Sequence, residues 1–149
     1  MHRRNILTAA FATTGALFAA ATRSARANPT TPDKSKVVYH LCDFDKVSFV
    51  LGNIKNHYEG VGGPDWVTIA LVVHGPALKA FHAAAASADT AQRTEQFFKS
   101  GLQLNACGNT MRAQNVALKD LLPGFVSADH GGVVRIAELQ AQGYVYLRP

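Results

Sequence analysis

Cysteine is scarce in this chain: two in 149 residues, Cys42 and Cys107. That count excludes a disulfide-built scaffold. No C-x-x-C or H-x-x-x-H pair occurs, so no local motif preorganises two metal ligands. Phosphate-binding glycine loops are missing too, and Asn109-Thr110-Met111 is not a glycosylation sequon. The acids Asp43, Asp45, Asp65, Asp89, Asp120 and Asp129 fall in expected loops and helix caps, with no paired-carboxylate or Ser-His-Asp signal above that background. There is no internal repeat, and the only low-complexity tract after the leader is Ala83–Ala86.

A charge excess of either sign is missing as well, once the leader is set apart. Paired Arg3-Arg4 before Ile6-Leu7 form a twin-arginine export pattern, and Ala25-Arg26-Ala27 is a small-x-small cleavage site. Leu7 to Ala21 is too short an apolar stretch to span a bilayer. Residues 1–27 are therefore expected to be a signal peptide, and the mature protein periplasmic, with no membrane association after cleavage. Its four arginines leave with it, so eleven basic residues face ten acidic ones. A net charge of +1 leaves no electrostatic footprint for nucleic acid. The remaining 122 residues suit one domain. Residues 28–35, with Pro29 and Pro32, read as a disordered lead-in, and the domain as 36–149.

What is present is alternation. Lys36–Leu41 predicts a first strand, and Lys46–Tyr58 a helix with Val47, Val50, Leu51, Ile54 and Tyr58 on one face. Trp66–Val73 is a nearly continuous apolar run, as in a strand buried on both sides. Helices are expected over 77–86 and 90–99, and a third strand over 101–106. A helix over 110–116 and a loop over 121–125 follow. The last helix starts at Asp129 or His130, with Val133, Ile136, Ala137 and Gln140 on one face, and 144–147 is the last strand. This order implies about five mostly parallel strands with helices on both sides.

In such sheets the functional crevice lies beyond the carboxyl ends of the strands. Cys42, His74 and Cys107 each close one of the first three predicted strands. Cys107 also precedes Gly108 at a helix start, where backbone N–H groups and the helix dipole favour a thiolate or persulfide anion. Cys107, Cys42 and His74 are thus the candidate catalytic residues, with Gly75, Gly108, Asn109 and Thr110 as ligand-contacting positions. His74 can stabilise a Cys107 thiolate or donate to a bound anion.

The chain from 36 onward resembles the DsrE/DsrF-like family of small sulfur-relay proteins. The match is carried by Val37-Val38-Tyr39-His40-Leu41, Gly52-Asn53-Ile54-Lys55-Asn56-His57, Val72-Val73-His74-Gly75-Pro76, Ala106-Cys107-Gly108-Asn109-Thr110-Met111, Leu122-Pro123-Gly124 and Gln142-Gly143-Tyr144. The resemblance implies a flavodoxin-like three-layer α/β sandwich, a homotrimer or homohexamer, and a sulfur-accepting cysteine after the third strand, which is Cys107. A sulfur donor or acceptor protein would be its partner. Phe97, Phe98, Phe81 and Leu78 are apolar residues expected to be spare for assembly.

The leading expectation is a periplasmic sulfur carrier or sulfurtransferase-like protein, without a cofactor. Its alternative is a non-catalytic oligomeric module that binds a small ligand or metal, with Cys107 merely buried. A metal site from His40, Cys42, His74 and Cys107 has suitable ligand types but scattered spacing, so no metal ligand is assigned. His40 shares a sheet face with Cys42, and His57 is placed on the first helix, where it can pack at an interface. In a flavodoxin-like order the first strand lies between the second and third. Cys42 and Cys107 would then end neighbouring strands, within about 10 Å and without a permanent disulfide, leaving Cys42 as a resolving thiol.

Overall fold

Apolar residues at alternate positions on the strands and at helical spacing on the helices build an α/β sandwich. The computed structural model describes residues 34–149; the expected leader (1–27) and residues 28–33 lie outside the described residues. Strands are β1 (Ser35–Leu41), β2 (Val67–Val73), β3 (Gln103–Cys107), β4 (Phe125–Ala128) and β5 (Val145–Leu147). Helices are α1 (Val47–Val61), α2 (Ala88–Lys99), α3 (Gly108–Ala113) and α4 (Gly132–Ala141). No helix among the described residues is long and apolar enough to cross a membrane.

The sheet is parallel throughout, in the order β4-β3-β2-β1-β5. This bears out the flavodoxin-like three-layer class and corrects the expected order: β2, not β1, lies between its two neighbours in the middle. The residues explain why. Ile69 to Val73 are all fully buried, whereas β1 begins at two exposed residues and pairs with the mostly exposed β5. Burying side chains of this size contributes about 1.5–3 kcal/mol each, so the most apolar strand takes the centre.

Steps from β1 to β4 move one way across the sheet, and the return to β5 runs the other way. Right-handed crossovers then put α1, α2 and α3 on one face and α4 alone on the other. The core divides accordingly. Val37, Tyr39, Leu41, Ile69, Leu71, Val73, Leu104 and Ala106 face the larger cluster with Leu51, Ile54 and Phe97. Val38, Ala70 and Val72 face Ile136, Leu139 and Tyr144. By alternation, His40, Asn105 and Cys107 point to the α4 side.

All five residues expected on the buried face of α1 are buried. Two other segments differ from expectation. Residues Gly75–Phe81 form a 3-10 helix rather than an α-helix, because this segment is tied to neighbouring loops. Ala77 N–H bonds Cys42 O, Leu122 N–H bonds Phe81 O, and His82 pairs with Leu121. On α4 the buried positions are Gly132, Ile136 and Leu139, while Val133, Ala137 and Gln140 are exposed. Phe81, Leu78 and Phe97 belong to the core, so of the four apolar residues taken as spare only Phe98 is exposed.

Candidate functional site

β3 hands its chain to α3 on one face, and β4 hands its chain to α4 on the other. The crevice that such a reversal opens lies between the ends of β3 and β4. Cys107 occupies it, as the last residue of β3 and the N-cap of α3. A cleft of about 300 Å³ is lined there by His74, Cys107, Asn109, Thr110, His130, Gly131, Gly132, Val133 and Val134.

Cys107 is only 6% exposed, yet its surroundings favour an anion. Burial alone raises its pKa; the Thr110 hydroxyl and the backbone N–H groups of Gly132, Thr110 and Asn109 outweigh that, so the thiol lies below its ordinary value. Asn109 and Thr110 open α3 and Gly132 opens α4, so two helix starts border one cleft.

Small residues make the convergence possible. A Cβ on Gly132 would stand 3.2 Å from Cys107 Cβ and 3.4 Å from His74 Cβ and Val72 Cγ1. One on Gly108 would meet Ala128 O at 3.0 Å and Asp129 Cα at 3.1 Å. Thr110 ties the site to the β2 turn, accepting the Gly75 N–H at 2.9 Å. Gln114 reinforces that turn, donating to Gly75 O while His82 donates to its Oε1, each at 2.9 Å.

A second group forms where β1 and β2 leave the sheet. Nε2 of His40 hydrogen-bonds Nε2 of His74, and their rings stack with centroids 4.7 Å apart. Cys42 joins them, and one ligand atom from each of the three lies within 4.8 Å of the others. β5 supplies the surroundings: Tyr146 Oη lies 2.7 Å from His40 Nδ1, and just beyond the strand Arg148 donates to Cys42 Sγ at 3.1 Å and to Asp43 at 3.3 Å. Burial, the neighbouring His74 and Arg148 push the His40 pKa down to about 4 against the smaller opposing effect of Asp43. Burial and Arg148 lower His74 likewise. Burial and Asp43 raise the Cys42 thiol, although Arg148 opposes this.

His74 is therefore shared: it lines the Cys107 cleft and bonds His40. Asn109 and Thr110 border the sulfur, Gly75 holds Thr110, and Gly108 packs behind it. Cys42 does not neighbour Cys107. The two end strands separated by β2, and two strand spacings make about 10 Å, beyond the Cα range of about 4.4–6.8 Å for a disulfide. Both thiols are free, and direct attack of Cys42 on Cys107 has no short path. His57 bonds Tyr39 Oη through Nδ1 at 3.0 Å, within its own subunit.

Sequence reasoning overlooked Gly131-Gly132, whose pairing at a helix start was the available signal for a close approach. Tyr146 and Arg148 carried no signal, because only the position of β5 beside β1 brings them to the site.

No protein-family model matches the chain, and no curated protein matches it. Among solved structures it is similar to the protein of unknown function MTH1491 from Methanobacterium thermoautotrophicum. The two are 25% identical with a TM-score of 0.68, over 77% of this chain and 99% of that one.

Proposed function

We propose that this chain is a sulfur carrier of the DsrE/DsrF-like kind, in which Cys107 accepts sulfane sulfur and passes it to a partner thiol. The observation that carries this reading is the place of Cys107, buried at the end of β3 where α3 and α4 both begin, with the backbone N–H groups there and the Thr110 hydroxyl holding its thiol below the ordinary value. In the first step the Cys107 thiolate attacks the outer sulfur of a persulfide donor. One S–S bond forms as another breaks, and the donor leaves as a thiolate with the electron pair, so no outside oxidant is needed. The terminal sulfur of the resulting persulfide lies in the cleft. Val133 and Val134 at its rim are 68% and 44% exposed, an apolar approach for a partner protein. An exported leader at residues 1–27 would place this exchange in the periplasm.

Intact mass after incubation with polysulfide tests the reading. A gain of about 32 Da on wild type and on Cys42→Ser, absent from Cys107→Ser, is expected. No adduct, or one that persists in Cys107→Ser, overturns it.

A further inference from the structure

The strand-end group of two imidazoles and a thiol has the composition of a ligand set, and it shares only His74 with the cleft of Cys107. We propose that His40, Cys42 and His74 form a three-coordinate binding site for Cu(I).

Each ligand reaches the site from a different local backbone: His40 from within β1, Cys42 from just past its end, and His74 from just past β2. Register Leu41↔Val73 brings the two strand ends level, which supplies the proximity that sequence spacing lacks. With bonds of about 2.0–2.3 Å, trigonal ligands stand about 3.5–3.8 Å apart. The three donor atoms already lie within 4.8 Å of one another, so side-chain shifts of about 1 Å, which part the two hydrogen-bonded imidazoles and draw in the thiol, give that geometry.

The surroundings choose among metals. In the tautomer whose proton sits on Nδ1, His40 donates to Tyr146 Oη, and its Nε2 lone pair, which accepts from His74 Nε2 in the metal-free protein, turns to the metal once the His74 proton shifts to Nδ1. Such a hydrogen bond on the far ring nitrogen is the usual support for a metal-bound imidazole. Asp43, the nearest carboxylate, is committed to Arg148 and is not among the three clustered ligands, so the set is nitrogen and sulfur alone. Thiolate and imidazole without oxygen suit a soft cation. The Arg148 guanidinium, 3.1 Å from Sγ, disfavours a dication, whereas one thiolate neutralises one monovalent ion. On binding, Cys42 releases its proton to solvent as the Cu–S bond forms, and no oxidation state changes.

The test is anaerobic titration of the mature protein with Cu(I) against a bicinchoninate competitor, with X-ray absorption of the loaded wild type. One equivalent per chain and a first shell of two nitrogens and one sulfur are expected. His40→Gln and Cys42→Ser should each weaken binding at least 100-fold, and Tyr146→Phe by about 10-fold. His57→Gln and Cys107→Ser should leave it unchanged, which separates this site from the sulfur-carrier reading. Failure to compete with the probe, tighter binding of Zn(II), or loss of Cu(I) in Cys107→Ser with retention in Cys42→Ser each overturns the proposal.

Discussion

Gly132, the first residue of α4, packs so closely on Cys107 at the end of β3 that a Cβ on it would stand 3.2 Å from the Cys107 Cβ. This approach joins the two halves of the topology, because among the described residues α4 is the only helix on its face of the sheet. It also separates the two cysteines chemically: Cys107 has three backbone N–H donors, and Cys42 has a neighbouring carboxylate.

The thiols should therefore ionise on opposite sides of the ordinary cysteine value, about 8.5. Iodoacetamide rates measured across pH on Cys42→Ser, which keeps only Cys107, should rise to half-maximum below that value. On Cys107→Ser, which keeps only Cys42, the half-maximum should lie above it. Thiolate is the reacting form, so the rates report ionisation once exposure is accounted for.

Acid should destabilise the metal-free protein in a defined window. Unfolded histidine takes up a proton near pH 6.5, whereas folded His40 resists until about pH 4, and His74 is lowered in the same sense. The unfolded state binds more protons in between, so the stability that these imidazoles allow at neutral pH is lost as pH falls from about 6.5 toward 4. Tm followed in the presence of chelator should drop there, and His40→Gln should flatten the drop. A pH-independent Tm across that interval contradicts the account.

Gly132→Ala should cost about 1–3 kcal/mol, because the added methyl group meets Cys107, His74 and Val72 within 3.4 Å. Val133→Ala, one residue on and exposed, should stay within about 0.5 kcal/mol of wild type. Urea unfolding of both variants makes the comparison, and equal effects would remove the close approach as the reason for glycine.

Assembly into a homotrimer or homohexamer is proposed, and light scattering should give that mass. Phe44, Phe49 and Trp66 are each more than half exposed and offer apolar surface in place of the buried phenylalanines. A monomer at all concentrations rules this out.

The parts of the structure legible in the sequence are those set by local periodicity. The buried face of α1 and the buried run of β2 follow from hydropathy alone, because each residue's burial depends on its own element. The buried face of α4 differs from the hydropathy pattern because it includes Gly132, which has no side chain to register as apolar. Residues 77–86 carry helix-forming alanines, but long-range pairing of His82 with Leu121 prevails over that local preference. Strand order is a property of pairing, so the relation of Cys42 to Cys107, and of His40 to His74, waited on register. Cys107 itself was found from position alone, since a strand end followed by a helix start is visible in one dimension.

Because α4 is the one helix covering its face among the described residues, held there mainly by Ile136 and Leu139, it is a natural unit of local unfolding. Its opening would uncover Cys107 and at the same moment withdraw the Gly132 N–H from the sulfur. Shielding and ionisation of that atom are thus one equilibrium. Amide exchange at the start of α4 and the nucleophilicity of Cys107 should change together, and anything that grips an anionic sulfur in the closed state should slow both.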